Sequence, residues 1–475
     1  MSRFSRALAL FGAGALALLT IPVSVSSVAG AATPADEATA ADAVAFIKTM
    51  QTSDGGFWSV SPDFETRDSA LAVAEAAQTG STWSTTEARD ALAAIHHGGG
   101  SGPTPLDSLD AYASSIHEGG PFTAAAGAAA KTIALSARPL GLDPAAFDAN
   151  DDGASVDLVA LLDVDCPDDN SPLLTFSDKL YALIAGVGIC GETTPELVAD
   201  VRAAQQTDGS WGFGGNPDAS GYDPDITGLA IQALVAAGEP GTDSAIRAGL
   251  AASAEAQQSD GGWIDFFGVE SNASSTSLVI SAIQAAGFDP TNPCWRNTVA
   301  PDTAGTAYSD PVAWMRSQQD ADGHIVSPYD SFGVNTFTTS ESVHALLANW
   351  FPVARSAPIN CSLVGPAPTV SSTTAVAGGS ITVSGDGFMP VTTLTIELHS
   401  APVVLVSISA DGGGSYSAVV TIPADTPLGT HTIVVTGLAP DGQILTSSVS
   451  VDVVASTSGG DAPASAVEVT PHLTG

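Results

Sequence analysis

The sequence predicts a mainly α fold in which six helix pairs close into a ring, followed by a smaller all-β domain. Ala-rich apolar runs before residue 360 stop at glycines spaced roughly 50 residues apart, within the range of repeat architectures. A turn pattern of Gln, Asp, Gly and an aromatic residue recurs in the same region. Beyond residue 360, alternating β-branched segments replace the Ala-rich runs, which indicates strands.

The first 31 residues have the features of an export signal. Arg3 and Arg6 precede an apolar run over residues 7–23, and the small residues at 29–31 suit a signal peptidase. This run is too short for a stable membrane span, and no later stretch reaches the roughly 18 apolar residues that a spanning helix needs. We therefore expect a secreted, extracellular protein whose mature chain has no transmembrane segment.

The charge of the chain is strongly acidic, with 13 Lys and Arg against 51 Asp and Glu and a formal net charge of -38. A field of this sign repels phosphate backbones and anionic lipid surfaces. Nucleic acid is therefore excluded as a partner. The ordinary interpretation of the charge is solubility of an exported protein.

The chain has four cysteines and no Cys-x-x-Cys pair, which in an exported protein indicates disulfides rather than a metal site. Three pairings are possible. We favour Cys166 with Cys190 and Cys294 with Cys361, because these bridges close local segments of the repeat.

Five of the apolar runs end at a glycine, the residue best suited to the left-handed position that closes a helix. These glycines are Gly80, Gly141, Gly191, Gly238 and Gly287, and a sixth run ends at Pro352. Each interval leaves room for one further, more polar helix, so each unit is a helix pair. Six pairs over residues 32–360 bury their apolar faces best as six inner and six outer helices. One additional helix is expected over residues 85–97.

Three copies of the turn pattern share a Gln, an Asp-Gly turn and an aromatic residue. The three copies are Gln51, Asp54 and Trp58; Gln205, Asp208 and Trp211; and Gln258, Asp260 and Trp263. A weaker fourth copy runs from Gln319 to His324. The Gln falls in the last turn of an outer helix, so the amide, carboxylate and ring together can satisfy free helix-end groups. We therefore interpret the pattern as a structural staple.

These copies resemble the QW repeats of squalene-hopene cyclases, within the terpenoid cyclase and protein prenyltransferase toroid superfamily. The resemblance covers roughly residues 35–360. It implies an (α/α)6 toroid that holds a ligand between its inner helices. It leaves the function open, since the superfamily is similar in fold to cyclases, zinc prenyltransferases, secreted cobalamin carriers and thioester domains.

Resemblance to a class II cyclase would require the proton-donating middle carboxylate of an Asp-x-Asp-Asp-Thr motif. The matching segment is residues 223–227, where Asp223 opens the motif, Asp225 matches the donor and Ile226 replaces the third Asp. Acidic residues at a helix start also serve as ordinary caps. Asp225 and Asp223 are therefore the candidate catalytic residues of an alternative function, a prenyltransferase or squalene cyclase-like enzyme acting on an isoprenoid.

Two other members of the superfamily fit less well. The zinc ligands of prenyltransferases have no counterpart, because no nearby His completes the Asp163–Cys166 segment. A thioester is excluded because Thr193 follows Glu192 where a Gln must supply the amide. The cobalamin carriers match in compartment and architecture without a short motif that can be compared.

Asp148, Asn150 and Asp152 occupy positions 1, 3 and 5 of a calcium-loop pattern, with Gly153 at position 6. Position 12 is Val159 instead of the bidentate Glu, and an Asp/Asn/Gly turn before a helix has the same composition. We expect no cofactor, with calcium at these residues as the open alternative.

Residues 364–455 contain about seven short alternating segments separated by Gly, Pro and Asp turns, which suits an immunoglobulin-like β-sandwich. The opening of this region resembles such domains of bacterial surface proteins, which act as spacers or adhesive units. Residues 456–475 are small and polar, so we expect a disordered tail.

The sequence therefore predicts a secreted two-domain protein without catalysis. Its toroid either binds a small apolar or cofactor-like ligand or presents a surface to a cell-surface partner. An open central cavity would favour binding or cyclisation, and a packed cavity would favour the surface role.

Overall fold

A computed structural model describes the chain in segments separated by gaps. The described residues are 32–58, 62–80, 82–116, 124–166, 174–219, 221–300, 308–327, 334, 336–349, 363–364, 366–399, 403–439 and 444–455. The predicted signal peptide at 1–31 and the predicted disordered tail at 456–475 lie outside them. Helices occupy the region up to residue 349 and sheets dominate after it. The prediction of a mainly α fold is therefore corrected, because the fold as a whole is mixed α and β.

The helices follow one another along the first 349 residues. In chain order they are α1 (Pro34–Thr49), α2 (Pro62–Ala76), α3 (Thr85–Ala93), α4 (Pro105–Ser115), α5 (Ala125–Thr132), α6 (Arg138–Leu140), α7 (Leu158–Leu161), α8 (Phe176–Ala185), α9 (Thr194–Ala203), α10 (Pro224–Ala236), α11 (Ser244–Ala256), α12 (Ala273–Ala285), α13 (Cys294–Val299), α14 (Pro311–Ser317) and α15 (Phe337–Leu346). A π-helical segment, Ile133–Ala137, joins α5 to α6 without a break.

Six of these helices form a closed cycle of contacts. Helix α2 contacts the π segment, α5 contacts α8, and the cycle continues through α10, α12 and α15 back to α2. Helices α1, α4, α7, α9, α11 and α14 each pack on members of the cycle. Helices α10 and α12 are buried along nearly their whole length, as expected for helices enclosed by others on every side. We call α2, α5 with its π segment, α8, α10, α12 and α15 the ring helices.

The helix ends follow from local sequence. Thr followed by Pro begins α1, α4 and α9, and in each case a capping box satisfies the first free N–H groups. Gly141, Gly238 and Gly287 have positive φ close after a helix, as expected. The predicted stop at Gly191 is wrong, because α8 already ends at Ala185 with the left-handed Gly186 (φ +64).

The second region consists of short strands in two sheets. Its strands are β3 (Leu363–Val364), β4 (Thr369–Val370), β5 (Thr374–Val376), β6 (Ser380–Gly385), β7 (Thr393–His399), β8 (Val403–Ser409), β9 (Tyr416–Thr421), β10 (Gly429–Leu438) and β11 (Ile444–Val454). A separate hairpin, β1 (Trp263–Ile264) with β2 (Ser271–Asn272), precedes α12.

One sheet has the order β3-β11-β10-β7-β8, with β5 also pairing with β11, and the other has the order β4-β6-β9. Burial alternates along β7 and β9, so each strand turns one face inward. Residues of both sheets form one apolar cluster that includes Val383, Ile396, Val420 and Ile433. The helices have a separate apolar cluster.

The predicted bridge between Cys166 and Cys190 is confirmed. It ties the segment after α7 to the tight turn between α8 and α9. Cys294 is also disulfide-bonded, but its predicted partner Cys361 lies outside the described residues. Among the helices described, none combines the length and the apolar character that crossing a membrane requires.

Candidate ligand site inside the ring of helices

The recurring turn connects neighbouring outer helices through its glutamine. Gln205 Nε2 donates to Gly209 O within the turn (2.8 Å) and to Ala245 O at the start of α11 (2.8 Å). In the fourth copy, Gln319 Nε2 donates to Gly323 O (3.0 Å) and to Thr39 O on α1 (2.8 Å). One amide therefore holds its own turn closed and fixes the next outer helix.

In the third copy, the glutamine predicted from the sequence lies one residue too late. Gln257, and not Gln258, donates to Gly261 O (3.0 Å) and to Ser309 O before α14 (3.2 Å). Gln258 instead donates to Ala256 O (2.7 Å). In the second copy the bridging Gln stands six residues before the Trp, and Gln257 has this spacing to Trp263.

The aromatic residues of the second and third copies are fully buried. Trp211 Nε1 donates to Val201 O (2.6 Å), and Trp263 Nε1 donates to Ser253 O (2.8 Å), in each case the preceding outer helix. In the first copy Phe57 is the fully buried ring, whereas Trp58 is half-buried and donates to Asp54. Trp58 is therefore not the equivalent of the two buried tryptophans.

The aspartates of the pattern act within the turns. Asp54, Asp208 and Asp260 each accept the backbone N–H two residues later, at distances of 3.2, 2.9 and 3.0 Å. This is the usual way in which Asp stabilises a turn.

Asp223 and Asp225 occupy different environments at the start of α10. Asp223 caps the helix, because its Oδ1 accepts the N–H groups of Asp225 and Ile226 at 3.1 Å each. Asp225 lies beside Ser275 of α12. Burial raises the pKa of Asp225 to about 7, the Ser275 hydroxyl opposes the shift, and the charges of Asp223 and Asp265 add to it.

Sequence reasoning missed Glu341, a second carboxyl group that faces the inside of the ring from α15. Burial raises the pKa of Glu341 to about 8, and the charges of Asp68 and Asp225 act in the same direction. The Ser274 hydroxyl donates to Glu341 Oε2. The sequence does show an acidic residue, Glu341, in the last of the six predicted inner helices. It does not show whether this side chain points into the ring.

Two further ionisable pairs lie inside the ring. Lys131 Nζ is 3.3 Å from Asp68 Oδ2 and 5.1 Å from the centre of the Tyr181 ring. Burial keeps the pKa of Tyr181 well above its ordinary value, so its phenol stays neutral.

The second pair joins His344 Nδ1 to Glu75 Oε2. Burial alone lowers the pKa of His344, but the Glu75 charge and hydrogen bond outweigh burial and raise it.

Each ring helix contributes a polar side chain to the same interior space. We define the ring cluster as one residue from each helix: Asp68, Lys131, Tyr181, Asp225, Ser275 and Glu341. Glu341 responds to the charges of Asp68, Asp225 and Lys131, and Tyr181 responds to those of Asp68 and Glu341. Five of the six side chains are therefore close enough to interact electrostatically, and Ser275 joins them through Asp225.

Four members of the ring cluster are not completely buried. Lys131, Tyr181, Asp225 and Glu341 all keep part of their surface accessible, although burial dominates the pKa shifts of three of them. Asp225 Oδ1 and Ser275 Oγ, both buried, have no hydrogen-bond partner at normal distance among the described residues. Buried polar atoms normally have one, so these two atoms are exceptions.

The predicted calcium residues form a compact turn. Asp148 Oδ1 accepts from Asp152 N (3.1 Å), Asp148 Oδ2 from Gly153 N (2.9 Å), and Asp152 Oδ1 from Ala154 N (2.8 Å). Asn150 Oδ1 accepts from Asp152 N (3.2 Å). No group of three or more His, Cys, Asp or Glu side chains in the described segments is placed to hold a metal ion.

A cavity of about 410 Å³ lies among α8, α9 and α10, near the end of α10 that is remote from Asp225. Leu183, Val198 and Ala236 give it an apolar wall, and Glu239 stands at its edge.

Comparison with known proteins gives similarity without an assignment. No known family profile matches the chain. A putative endo-alpha-N-acetylgalactosaminidase of Renibacterium salmoninarum is 36% identical over 100 residues, which are 21% of this chain. The match spans only 7% of that curated relative.

Two solved structures are similar over 66% of the chain. One is a protein from Actinoplanes, with 18% identity, 99% of that chain covered and a TM-score of 0.42. The other is the type II terpene cyclase MstE from Scytonema, with 14% identity, 97% covered and a TM-score of 0.43. Neither similarity assigns a ligand or a reaction to this chain.

Proposed function

We propose that the chain is a secreted binding protein whose helical region is an (α/α)6 toroid, and that a small polar ligand occupies the ring cluster without being converted. The unpartnered Asp225 Oδ1 is the observation that carries this proposal. A carboxyl oxygen buried without a hydrogen bond costs stability, and a ligand donor at this point would remove that cost.

The lining of the ring favours a polar ligand over the apolar one that the resemblance suggested. Asp68, Lys131 and Asp225 all lie near Glu341, and an apolar molecule would remove water from these groups without replacing the hydrogen bonds of that water. A ligand with several hydrogen-bonding groups would instead satisfy them.

Acid catalysis by Asp225 on an isoprenoid is the second candidate. It is favoured by the pKa of about 7, which leaves the carboxyl protonated in mildly acidic medium, as a proton donor requires. The ionised pair of Asp68 and Lys131 in the same space counts against it, because a polyene would have to desolvate both charges.

Native mass spectrometry of the mature protein tests the binding proposal. We expect a small polar molecule to co-purify with the wild type and with Glu255→Gln, a control at an exposed position of α11. Asp225→Asn and Glu341→Gln should retain less of it. Equal retention by all four proteins would place the ligand elsewhere. Cyclised product from squalene with the wild type, lost in Asp225→Asn, would make the enzyme the better account.

The remaining expectations are also proposals. We propose that the two-sheet region is an immunoglobulin-like spacer or adhesive unit that binds a cell-surface partner.

Calcium binding at Asp148, Asn150 and Asp152 stays a prediction, and calorimetric titration of wild type and Asp148→Asn with CaCl₂ tests it. Heat released by the wild type alone would establish the site.

A further inference from the structure

We propose that the ligand of the ring cluster is a cation, held through an ammonium group between Asp225 and Glu341. This inference rests on the proposed binding function and specifies the chemistry of its ligand. The evidence is the charge balance inside the ring and the placement of the two carboxyl groups on either side of α12.

Two acidic groups of the ring cluster, Asp225 and Glu341, have no cation paired with them in the described segments. Asp68 is paired with Lys131, and Glu75 is paired with His344. Asp225 and Glu341 form no ion pair with any residue in the described segments. An acidic pair enclosed in this way is costly when ionised, and a bound cation is what would neutralise it.

Two neighbouring serines at the start of α12 each approach one of the two carboxyl groups, and Glu341 also responds to the charge of Asp225. The Ser274 hydroxyl donates to Glu341, and the next residue, Ser275, faces Asp225. Ser275 is 0% exposed, and its hydroxyl lowers the pKa of Asp225 by hydrogen bonding to the carboxyl group. The buried Asp225 Oδ1 has no hydrogen-bond partner at normal distance among the described residues, and this oxygen is the evidence that a ligand atom belongs here.

The available acceptors suit an ammonium group. Such a group has three N–H donors and no acceptor, and the acceptors that we propose for it are Asp225 Oδ1 and a Glu341 oxygen. A metal ion fits less well, because the described residues provide no group of three metal-binding side chains. A carboxylate ligand would add negative charge where Asp223 and Asp265 already oppose ionisation of Asp225.

Protonation of the two carboxyl groups competes with the cation. Burial and the neighbouring acids, Asp223 and Asp265 for Asp225 and Asp68 for Glu341, raise both pKa values, while Lys131 opposes the shift at Glu341. Binding therefore requires deprotonation, and it should strengthen as the pH rises through about 7 and about 8, the two pKa values.

Isothermal titration calorimetry of the full-length mature protein with three matched probes tests the inference: 1,4-diaminobutane, 1,4-butanediol and succinate. We expect the diamine alone to bind, roughly several hundredfold more tightly at pH 8.5 than at pH 6, because both carboxyl groups must be deprotonated. Because the carboxyl groups release protons when the diamine binds, the measured heat should depend on the ionisation enthalpy of the buffer. Asp225→Asn and Glu341→Gln should each weaken binding about tenfold or more.

Two exposed substitutions are the matched controls, Asp90→Asn on α3 and Glu255→Gln on α11, and both should leave diamine binding unchanged. Circular dichroism spectra establish that the ring variants are folded. Equal binding of the diol, or diamine binding that does not change with pH, would overturn the cation but leave the ring as a binding site. If none of the three probes binds, the proposal that the ligand is a cation is wrong. The proposed binding function itself would be wrong only if no small molecule co-purifies with the protein.

Discussion

Two adjacent aromatic residues show how closely the recurring turn depends on position. Phe57 is fully buried and Trp58 is half-buried, although tryptophan is the larger and the more typical residue of the pattern. Side chains on either side of a single peptide unit in extended backbone point in opposite directions, so only one of the two can enter the core. The spacing from Gln51 decides which one enters.

Phe57→Ala should lower the free energy of unfolding by about 3–5 kcal/mol, the range for truncating a fully buried aromatic residue. Trp58→Ala should cost about 1 kcal/mol, because this ring is half-buried and makes one hydrogen bond to the Asp54 carboxylate. Urea unfolding of both variants measures the difference. A larger loss for Trp58→Ala than for Phe57→Ala would contradict the assignment of Phe57 to the core.

Asp225 and Glu341 should make the stability of the protein depend on pH. Their pKa values rise on folding from 3.8 to about 7 and from 4.5 to about 8, so the folded state holds protons that the unfolded chain has lost. Their stabilising contribution is complete below about pH 4 and is lost as the pH rises through the folded values.

Glu341→Gln removes this contribution from one site, because the amide does not titrate. The free energy of unfolding of Glu341→Gln, minus that of wild type, should therefore increase between pH 5 and pH 9. Urea unfolding at pH 5, 7 and 9 measures the difference, and Glu255→Gln, at an exposed site, should show a constant offset. A difference between wild type and Glu341→Gln that does not vary with pH would mean that Glu341 is not buried as described.

At the scale of elements, the glycines of the recurring turns set how closely each turn approaches the next outer helix. Gly209 has a φ of +89, and a Cβ at this position would lie 2.6 Å from Ala248 O of α11. The residue must therefore be glycine both for its backbone conformation and for the contact.

Gly209→Ala should lower the free energy of unfolding by about 2–4 kcal/mol, since backbone strain and a clash with α11 act together. Gly153→Ala is a matched control, because Gly153 has a similar φ of +87 with no atom within 4 Å of the added Cβ. The control should lose about 1 kcal/mol, from backbone strain alone. Equal losses in the two variants, measured by urea unfolding, would show that the contact with α11 is unimportant.

At the scale of the whole molecule, the ring is closed by contacts between the ends of the helical region. Gln319 reaches Thr39, and Arg316 forms an ion pair with Asp36, so α14 is fixed to α1. The helices and the two sheets have separate apolar clusters. Each region thus buries its own core, as independent domains do.

The full chain should therefore unfold in two calorimetric transitions, with a total enthalpy larger than the van't Hoff enthalpy of either one. Phe57→Ala should lower the melting temperature of one transition, and Ile396→Ala, at a fully buried position of β7, that of the other. A single transition that both substitutions shift would show that the two cores unfold together.

Much of the helical region could be predicted from the sequence because its signals are local. The Ala-rich runs, the Thr-Pro helix starts and most glycine stops correspond to observed helix ends. The bridge between Cys166 and Cys190 was also predictable, since both residues lie in one repeat. Where two candidates are adjacent, as with Gln257 and Gln258, the composition of the turn could not choose between them.

What the sequence determined by itself is the repeat, the positions of most helices and the start of α10 with its capping Asp223. What only the tertiary structure decided is the ring cluster. Asp68 and Glu341 are far apart in the chain, and each lies in a helix with several other polar residues, so the sequence does not single them out. They face each other only because the cycle of helices closes, and burial within that closed ring is what raises the pKa values of Asp225 and Glu341.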